Sequence, residues 1–260
     1  MINNIFVFDI ETIPDIETGR KLYDIADLDD EGIARILFQK QLEKTNGASD
    51  FLPLYMHKVV AISIVFRQGD QIKVWSLGDL ESDESEIVRR FFDGIEKYSP
   101  TLVSWNGSGF DLPVLHYRSL KHGIAAPRYW DMGSDDRDMK WNNYISRFHF
   151  RHTDLMDVLA AYQPRGSAPL DGLSTMLGFP GKMGMSGASV WEQYQQGELQ
   201  AIRDYCETDV LNTYLIYLRW ELIRGNLDQA GWDRETTLLK DTLRDARKPH
   251  LDAFLEAWDG

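Results

Sequence analysis

Hydrophobic and polar positions alternate along the chain in blocks that predict an α/β fold. Four consecutive apolar residues, Ile5 to Phe8, indicate a strand buried on both faces. A second apolar run at 58–66 leads through the turn 68–70 into the alternating segment 72–77, which predicts an antiparallel hairpin. A fourth strand is predicted at 101–105. The order of these segments favours a mixed sheet whose central strand is the first one.

Apolar residues at helical spacing predict helices between and after these strands. Capping residues, glycines and prolines set their expected ends. The predicted helices cover about 83–99, 111–120, 154–162, 170–177 and 198–224, and two amphipathic helices follow in 226–260. The glycine-rich stretch 181–187 is predicted to be a flexible loop.

Residues 15–51 separate the first strand from the second and form a polar insertion that favours helix. Apolar residues at helical spacing within it predict one helix packed over the sheet. These residues are Ile33, Ile36, Leu37 and Leu42. We expect 1–225 to form one domain that includes this insertion, and 226–260 to form a helical extension packed on the same domain.

The composition is that of a folded protein with an acidic balance. Of the 260 residues 43% are hydrophobic, which is enough for a sizeable core. The formal net charge of −13 argues against strong non-specific binding to long duplexes, because phosphate contacts need clustered Lys and Arg. In 112–182, however, Lys and Arg outnumber Asp and Glu. A metal site built from carboxylates would explain part of the acidic excess.

The N-terminal residues and the cysteine content indicate in which cellular compartment the protein resides. Met1 to Asn4 lacks a basic segment, and no apolar run approaches the roughly 18 residues needed to span a membrane. Cys206 is the only cysteine, which excludes an internal disulfide. We therefore expect a cytoplasmic protein with no membrane association, and the sequence gives no indication of its protein partners.

Residues 127–152 are predicted to be an irregular excursion in which aromatic and basic side chains are interleaved. Such a mixture suits stacking on bases while phosphates are neutralised. A packed loop with solvated Arg and Lys is an equally good interpretation. The aromatic residues are Tyr129, Trp130, Trp141, Tyr144, Phe148 and Phe150, and the basic ones are Arg128, Arg137, Lys140, Arg147 and Arg151.

Four acidic residues and one tyrosine lie at positions that favour a metal site. Asp9 and Glu11 end a buried strand, and residues two apart in a strand point to the same face. Asp111 lies where a predicted strand passes into a helix. Tyr205 and Asp209 share one face of the longest helix. Each residue alone is also compatible with a solvated turn or helix surface, whereas all five together predict a site for hard divalent cations.

Three segments carry a family resemblance. The stretches 8–12 (FDIET), 104–115 (SWNGSGFDLPVL) and 205–209 (YCETD) resemble the three exonuclease motifs of the DEDD superfamily, tyrosine subtype. The second is most similar to the proofreading exonuclease domain of family B DNA polymerases. The chain is too short to hold a polymerase domain as well, so it resembles the stand-alone bacterial exonucleases related to that domain. The resemblance implies an RNase H-like fold with a mixed five-stranded sheet flanked by helices.

The resemblance also implies a metal-dependent 3′–5′ exonuclease that uses two divalent ions, Mg²⁺ or Mn²⁺. By similarity, Asp9, Glu11 and Asp209 hold one ion. Asp9 bridges to a second ion, which Asp111 contacts through water. A phenol with a pKa of about 10 is a poor base at neutral pH, so Tyr205 is assigned to orienting the attacking water.

The expected substrate is single-stranded or frayed DNA, from whose 3′ end nucleoside monophosphates are released. Glu11 is a candidate to receive the 3′-hydroxyl. Asn106 and Phe110 are candidates to bind the terminal nucleotide, although Phe110 suits the core equally well. Lys182 is a candidate phosphate contact or a solvated lysine. A 3′–5′ exoribonuclease and a catalytically silent nucleic-acid-binding module are the alternative functions.

Overall fold

The computed structural model describes residues 2–25 and 27–260, and five strands in these ranges form one mixed sheet. In chain order the strands are Ile5–Pro14 (β1), His57–Gln68 (β2), Gln71–Ser76 (β3), Thr101–Ser104 (β4) and His152–Asp154 (β5). Their spatial order is β3-β2-β1-β4-β5. β1 pairs antiparallel with β2 and parallel with β4, and β4 pairs parallel with β5. The predicted α/β class, the five-stranded mixed sheet and the central position of β1 are confirmed.

Helices flank this sheet, and several begin at an Asp whose side chain accepts a hydrogen bond from the first turn. For α3, the Asp83 carboxylate accepts from the backbone amide of Glu86 at 2.8 Å. Within the described ranges, no helix is both long enough and apolar enough to cross a bilayer. The helices are Ile16–Tyr23 (α1), Asp30–Lys44 (α2), Glu84–Tyr98 (α3), Asp111–His122 (α4), Pro127–Trp130 (α5), Leu155–Leu159 (α6), Leu170–Met176 (α7), Val190–Gln195 (α8), Leu199–Ile223 (α9), Gln229–Ala246 (α10) and Pro249–Asp259 (α11).

The two faces of β1 contribute to separate parts of the core, as its continuous apolar sequence predicts. Phe6, Phe8 and Ile10 pack with residues of α3 and α4. Ile5 and Val7 pack with residues of α9, α10 and α11. Because both faces are buried, the end of β1 is held in a fixed position beside α9.

The insertion contains two helices, so the prediction of a single helix is wrong. Asp15 caps α1 by accepting from the backbone amide of Thr18 at 3.1 Å, and Asp29 caps α2 by accepting from that of Gly32 at 2.8 Å. Each Asp gives its helix a separate start. A Cβ at Gly19 would lie 2.9 Å from Leu37 Cδ1, so glycine allows α1 to approach α2 closely. The link between the two helices includes residue 26, which lies outside the described residues.

The prediction that residues 127–152 are irregular is partly wrong, because residue 152 begins β5. Tyr129 and Tyr144 are buried in the core, and the Tyr144 hydroxyl donates to the Pro100 carbonyl at 2.7 Å. Two of the basic side chains form ion pairs within the protein, Arg128 with Asp136 and Arg147 with Asp157. Several aromatic side chains remain exposed. They are Trp130, Trp141, Phe148 and Phe150.

The helices after residue 225 contact the rest of the chain through buried charges. Glu235 of α10 accepts two hydrogen bonds from Arg67 of β2, at 2.7 and 2.8 Å. Lys248 and His250 both lie within 2.9 Å of Glu207 on α9. These contacts place α10 and α11 against β2 and α9, whereas a domain boundary near residue 225 stays a prediction.

Candidate active site

The end of β1 presents two carboxylates toward α9. Asp9 pairs with Ser63 and Glu11 with Ala61 in the ladder with β2, and the register shifts between Glu11 and Thr12. The side-chain ligand atoms of Asp9, Glu11 and Cys206 all lie within 4.8 Å of one another. The Cys206 thiol donates to Asp9 Oδ2 at 3.6 Å, and α9 therefore contacts the first motif directly.

Asp111 reaches the same region from α4, of which it is the first residue. The backbone amide of Ile10, the residue between Asp9 and Glu11, lies near this carboxylate and partly offsets the effect of burial on its pKa. The loop before α4 is held by Asp154, whose two oxygens accept from the backbone amides of Asn106 and Ser108, each at 2.9 Å. The second motif is thus fixed on both sides.

Tyr205 and Asp209 complete the group from α9, on which they lie about one turn apart. The Tyr205 hydroxyl interacts electrostatically with the Asp209 carboxylate, so the two side chains lie near each other. Tyr205 is buried. The structure therefore brings together the four acids and the tyrosine that the sequence singled out.

Burial raises the pKa values of all four carboxyl groups, and repulsion within the cluster raises those of Asp9 and Glu11 further. The pKa of Asp9 and that of Glu11 lie well above their usual ranges, because both groups are desolvated and surrounded by the other carboxylates. Burial raises the pKa of Asp111 to about 7 and that of Asp209 to about 6. Such a cluster of oxygen donors favours protons or cations, and the donor set suits hard divalent ions.

The Tyr205 phenol is held in its protonated form. Burial raises its pKa above the usual 10, and the negative charges of Asp209 and Glu11 raise it further. At neutral pH the hydroxyl is therefore a hydrogen-bond donor and not a base, in agreement with the positioning role expected from the sequence.

A cleft of about 710 Å³ opens beside Glu11. Of the predicted substrate-binding residues, Asn106 and Phe110 line this cleft. Phe110 also packs against the core, so both interpretations of this residue apply. Lys182 is exposed, and its charge lowers the pKa values of Glu11 and Asp209, so the ammonium group lies within electrostatic range of the carboxylates.

Sequence reasoning missed several residues of this region. Cys206 and Asp154 lie within predicted helical segments, but nothing in their spacing indicated contacts with the motifs. Phe51, His57 and Trp191 line the cleft from three different segments, and only the fold brings them together. The one available signal was their residue type, because aromatic side chains near an acidic site suit base stacking.

Comparison with known proteins identifies the family. The profile of a family described as "Predicted 3'-5' exonuclease related to the exonuclease domain of PolB" matches residues 49–258, which is most of the chain. The chain belongs to this family. The matched stretch contains Asp111, Tyr205 and Asp209 and begins after Asp9 and Glu11. The predicted enzyme class, a 3′–5′ exonuclease, is thus that of its family.

Sections of DNA polymerases are similar to the chain. The catalytic subunit of DNA polymerase epsilon from Saccharomyces cerevisiae is 28% identical over 145 residues, which are 54% of this chain and 6% of that protein. A DNA polymerase of Archaeoglobus fulgidus is 24% identical over 161 residues, 61% of this chain and 19% of the polymerase. A DNA polymerase of Pyrococcus glycovorans is 32% identical over 112 residues, which are 39% of this chain and 14% of the polymerase. The chain thus spans at most 19% of the length of these relatives.

Proposed function

We propose that this exonuclease releases nucleoside monophosphates one at a time from the 3′ end of single-stranded or frayed DNA, with two Mg²⁺ or Mn²⁺ ions as cofactors. The observation that carries the proposal is the meeting of four carboxylates, two of them buried, and a protonated tyrosine beside a cleft of about 710 Å³, a volume in the range of small-ligand sites. The similarity to DNA polymerases supports DNA as the substrate.

Each side chain has a proposed role in hydrolysis of the terminal phosphodiester. Asp9, Glu11 and Asp209 would hold one ion, and Asp9 with Asp111 would hold the second. The bound ions would stabilise charge on the attacking and leaving oxygens. The Tyr205 hydroxyl would orient the attacking water through a hydrogen bond.

The cleft accounts for the proposed polarity. Glu11 lies both in the carboxylate cluster and in the lining of the cleft, so a terminal nucleotide in the cleft would present its 3′-hydroxyl near Glu11. A phosphate on that hydroxyl would add negative charge beside carboxylates. We therefore expect a 3′-phosphate to block digestion.

The test follows 5′-labelled strands of DNA with Mn²⁺ or Mg²⁺. A strand with a free 3′-hydroxyl should shorten one nucleotide at a time and stop with chelator, whereas a 3′-phosphorylated strand should persist. A matched RNA strand distinguishes the exoribonuclease alternative, which requires faster loss of RNA. Cleavage of circular strands at a comparable rate would contradict the polarity, and complete inactivity with both ions would favour a silent binding module.

Removal of the Tyr205 hydroxyl tests its positioning role. The Tyr205→Phe variant keeps the ring and all four carboxylates, so we expect divalent-ion affinity to change little. Single-turnover cleavage should slow by roughly 30-fold to 1,000-fold, the usual cost of about 2–4 kcal/mol for one positioned hydrogen bond in the transition state. Calorimetric Mn²⁺ titration provides the control. Cleavage at the parent rate would mean that Tyr205 is only a buried aromatic residue of α9.

A further inference from the structure

Three aromatic rings form one surface at the cleft beside Glu11. The ring centroids of Phe51 and Phe110 are 5.7 Å apart, and those of Phe51 and His57 are 5.1 Å apart. His57 also meets Phe110 edge-on at 5.1 Å. Phe51 is 55% exposed although its ring contacts two others. One ring of this surface is therefore open to a ligand in the cleft.

Hydrogen bonds hold His57 and the backbone of Phe51 in place behind this aromatic surface. His57 Nε2 lies 3.1 Å from the Leu52 carbonyl oxygen, which can only accept, so Nε2 carries the proton. Nδ1 then accepts from the Thr12 hydroxyl at 2.9 Å. Burial lowers the pKa of His57, which keeps the ring neutral. The backbone amide of Phe51 donates to Ser49 Oγ at 3.1 Å. A rigid aromatic surface loses little conformational freedom when a flat ligand stacks on it.

We propose that Phe51 is the stacking surface for the unpaired terminal nucleobase, and that it binds any of the four bases through the base face. The inference rests on the proposed function and names the residue that receives the base. Phe51 and Glu11 line the same cleft, so a nucleotide whose base stacks on Phe51 places its sugar toward the carboxylates. Stacking tolerates every base because each has a π-face.

The insertion at residues 15–51 lies beside the cleft and contributes to its lining. The segment between β1 and β2 contributes Phe38, Asp50 and Phe51 to the cleft, and β1 itself contributes Glu11. The insertion therefore builds one wall of the nucleotide site. Trp191 of α8 adds a second aromatic side chain to the lining.

A chemical double-mutant cycle tests the proposal. The apparent Kd from single-turnover titration is compared for a normal strand and for a strand whose 3′-terminal nucleotide lacks its base. Phe51→Ala should weaken binding of the normal strand by roughly 5-fold to 100-fold, the range for loss of one base–aromatic stack. It should leave binding of the abasic strand nearly unchanged, and Phe51→Trp should retain parent affinity. The four terminal bases should bind within a few-fold of one another.

Tyr117→Ala is the matched control, because Tyr117 of α4 is also exposed and packs on one aromatic ring, that of Tyr55, outside the cleft lining. Equal weakening of normal and abasic strands by Phe51→Ala, or no weakening of either, overturns the proposal. Fluorescence of a 2-aminopurine at the 3′ terminus measures stacking without cleavage: it should be quenched by the parent protein and not by Phe51→Ala. If parent and control proteins release no nucleotide, the proposed function fails, while the fluorescence comparison still decides the role of Phe51.

Discussion

Replacement of Asp9 by Asn is expected to abolish nuclease activity and at the same time to raise the melting temperature of the metal-free protein. The activity loss should be roughly 1,000-fold or more, because Asp9 is proposed to hold both ions. The stability gain has a separate cause. Asp9 lies among Glu11, Asp111 and Asp209, and an amide carries no charge for them to repel. We expect a gain of roughly 1–3 kcal/mol, or about 2–10 °C.

The dependence on pH has a definite sign. The pKa values of Asp111, about 7, and Asp209, about 6, are higher in the folded chain than the unfolded value of about 3.9. Between pH 4 and 7 the folded state therefore binds more protons, and the stability of the metal-free protein falls as pH rises through this window. Mg²⁺ should restore the stability at pH 8. Thermal melts from pH 5 to 8, with and without Mg²⁺, measure both effects.

An exposed carboxylate provides the control for Asp9→Asn. Asp93 lies on the exposed side of α3, and Asp93→Asn should change neither activity nor the metal-free melting temperature by a measurable amount. The assignment of Asp9 is wrong if Asp9→Asn keeps parent turnover across a titration of both ions. The account of repulsion is wrong if Asp9→Asn melts lower than the parent protein without metal.

The acidic residues could be predicted from the sequence because their positions depend on local patterns. β1 is a continuous apolar run, so its end and the alternation of Asp9 and Glu11 follow from the strand period of two. Tyr205 and Asp209 follow from the helical period in the same way. The distance between β1 and α9 does not follow from either pattern. The Cys206 contact with Asp9 depends on how the two elements pack.

Two features of the fold were missed for different reasons. β5 has only three residues, His152–Asp154, and none of them is apolar, so it carries no strand signal of its own. Its pairing with β4 determines its conformation. In the insertion, the signal for a second helix was present in Asp15 and Asp29, which cap α1 and α2. The prediction followed the recurring apolar residues, which lie in α2, and therefore missed the helix that begins after Asp15.

Replacement of Arg118 by Met is expected to destabilise the fold by several kcal/mol. Arg118 is 2% exposed and donates to Asp15 Oδ2 and Glu84 Oε2, each at 2.5 Å. Glu84 also accepts from the backbone amide of Val59 at 2.6 Å and lies 2.8 Å from His122 Nε2. Arg118 therefore joins α4 to the start of the insertion, to β2 and to α3.

Methionine fills much of the same volume but removes the buried cation that both carboxylates share, leaving Asp15 with the partly exposed Lys121 and Glu84 with His122. Breaking a buried pair in this way typically costs about 3–5 kcal/mol, or roughly 6–20 °C in melting temperature. Arg90→Met is the matched control, because the Arg90–Glu86 pair on α3 is exposed and should contribute less than about 1 kcal/mol. Similar losses for the two variants would show that the Arg118 cluster is not a buried pair in solution.

The pH dependence of the stability lost in Arg118→Met distinguishes the loss of charge pairing from the loss of packing. Arg118, together with Lys121 and Thr18, holds the pKa of Asp15 below its usual range, so these contacts contribute stability that is present above the unfolded pKa of about 3.9 and is lost as pH falls through the lower folded value. In the Met variant the contribution of Arg118 is absent. The difference in free energy of unfolding between parent and variant should therefore be largest near pH 7 and narrow below about pH 4. A difference that stays constant from pH 7 to pH 3 would assign the loss to packing alone, since the volume change is the same at every pH.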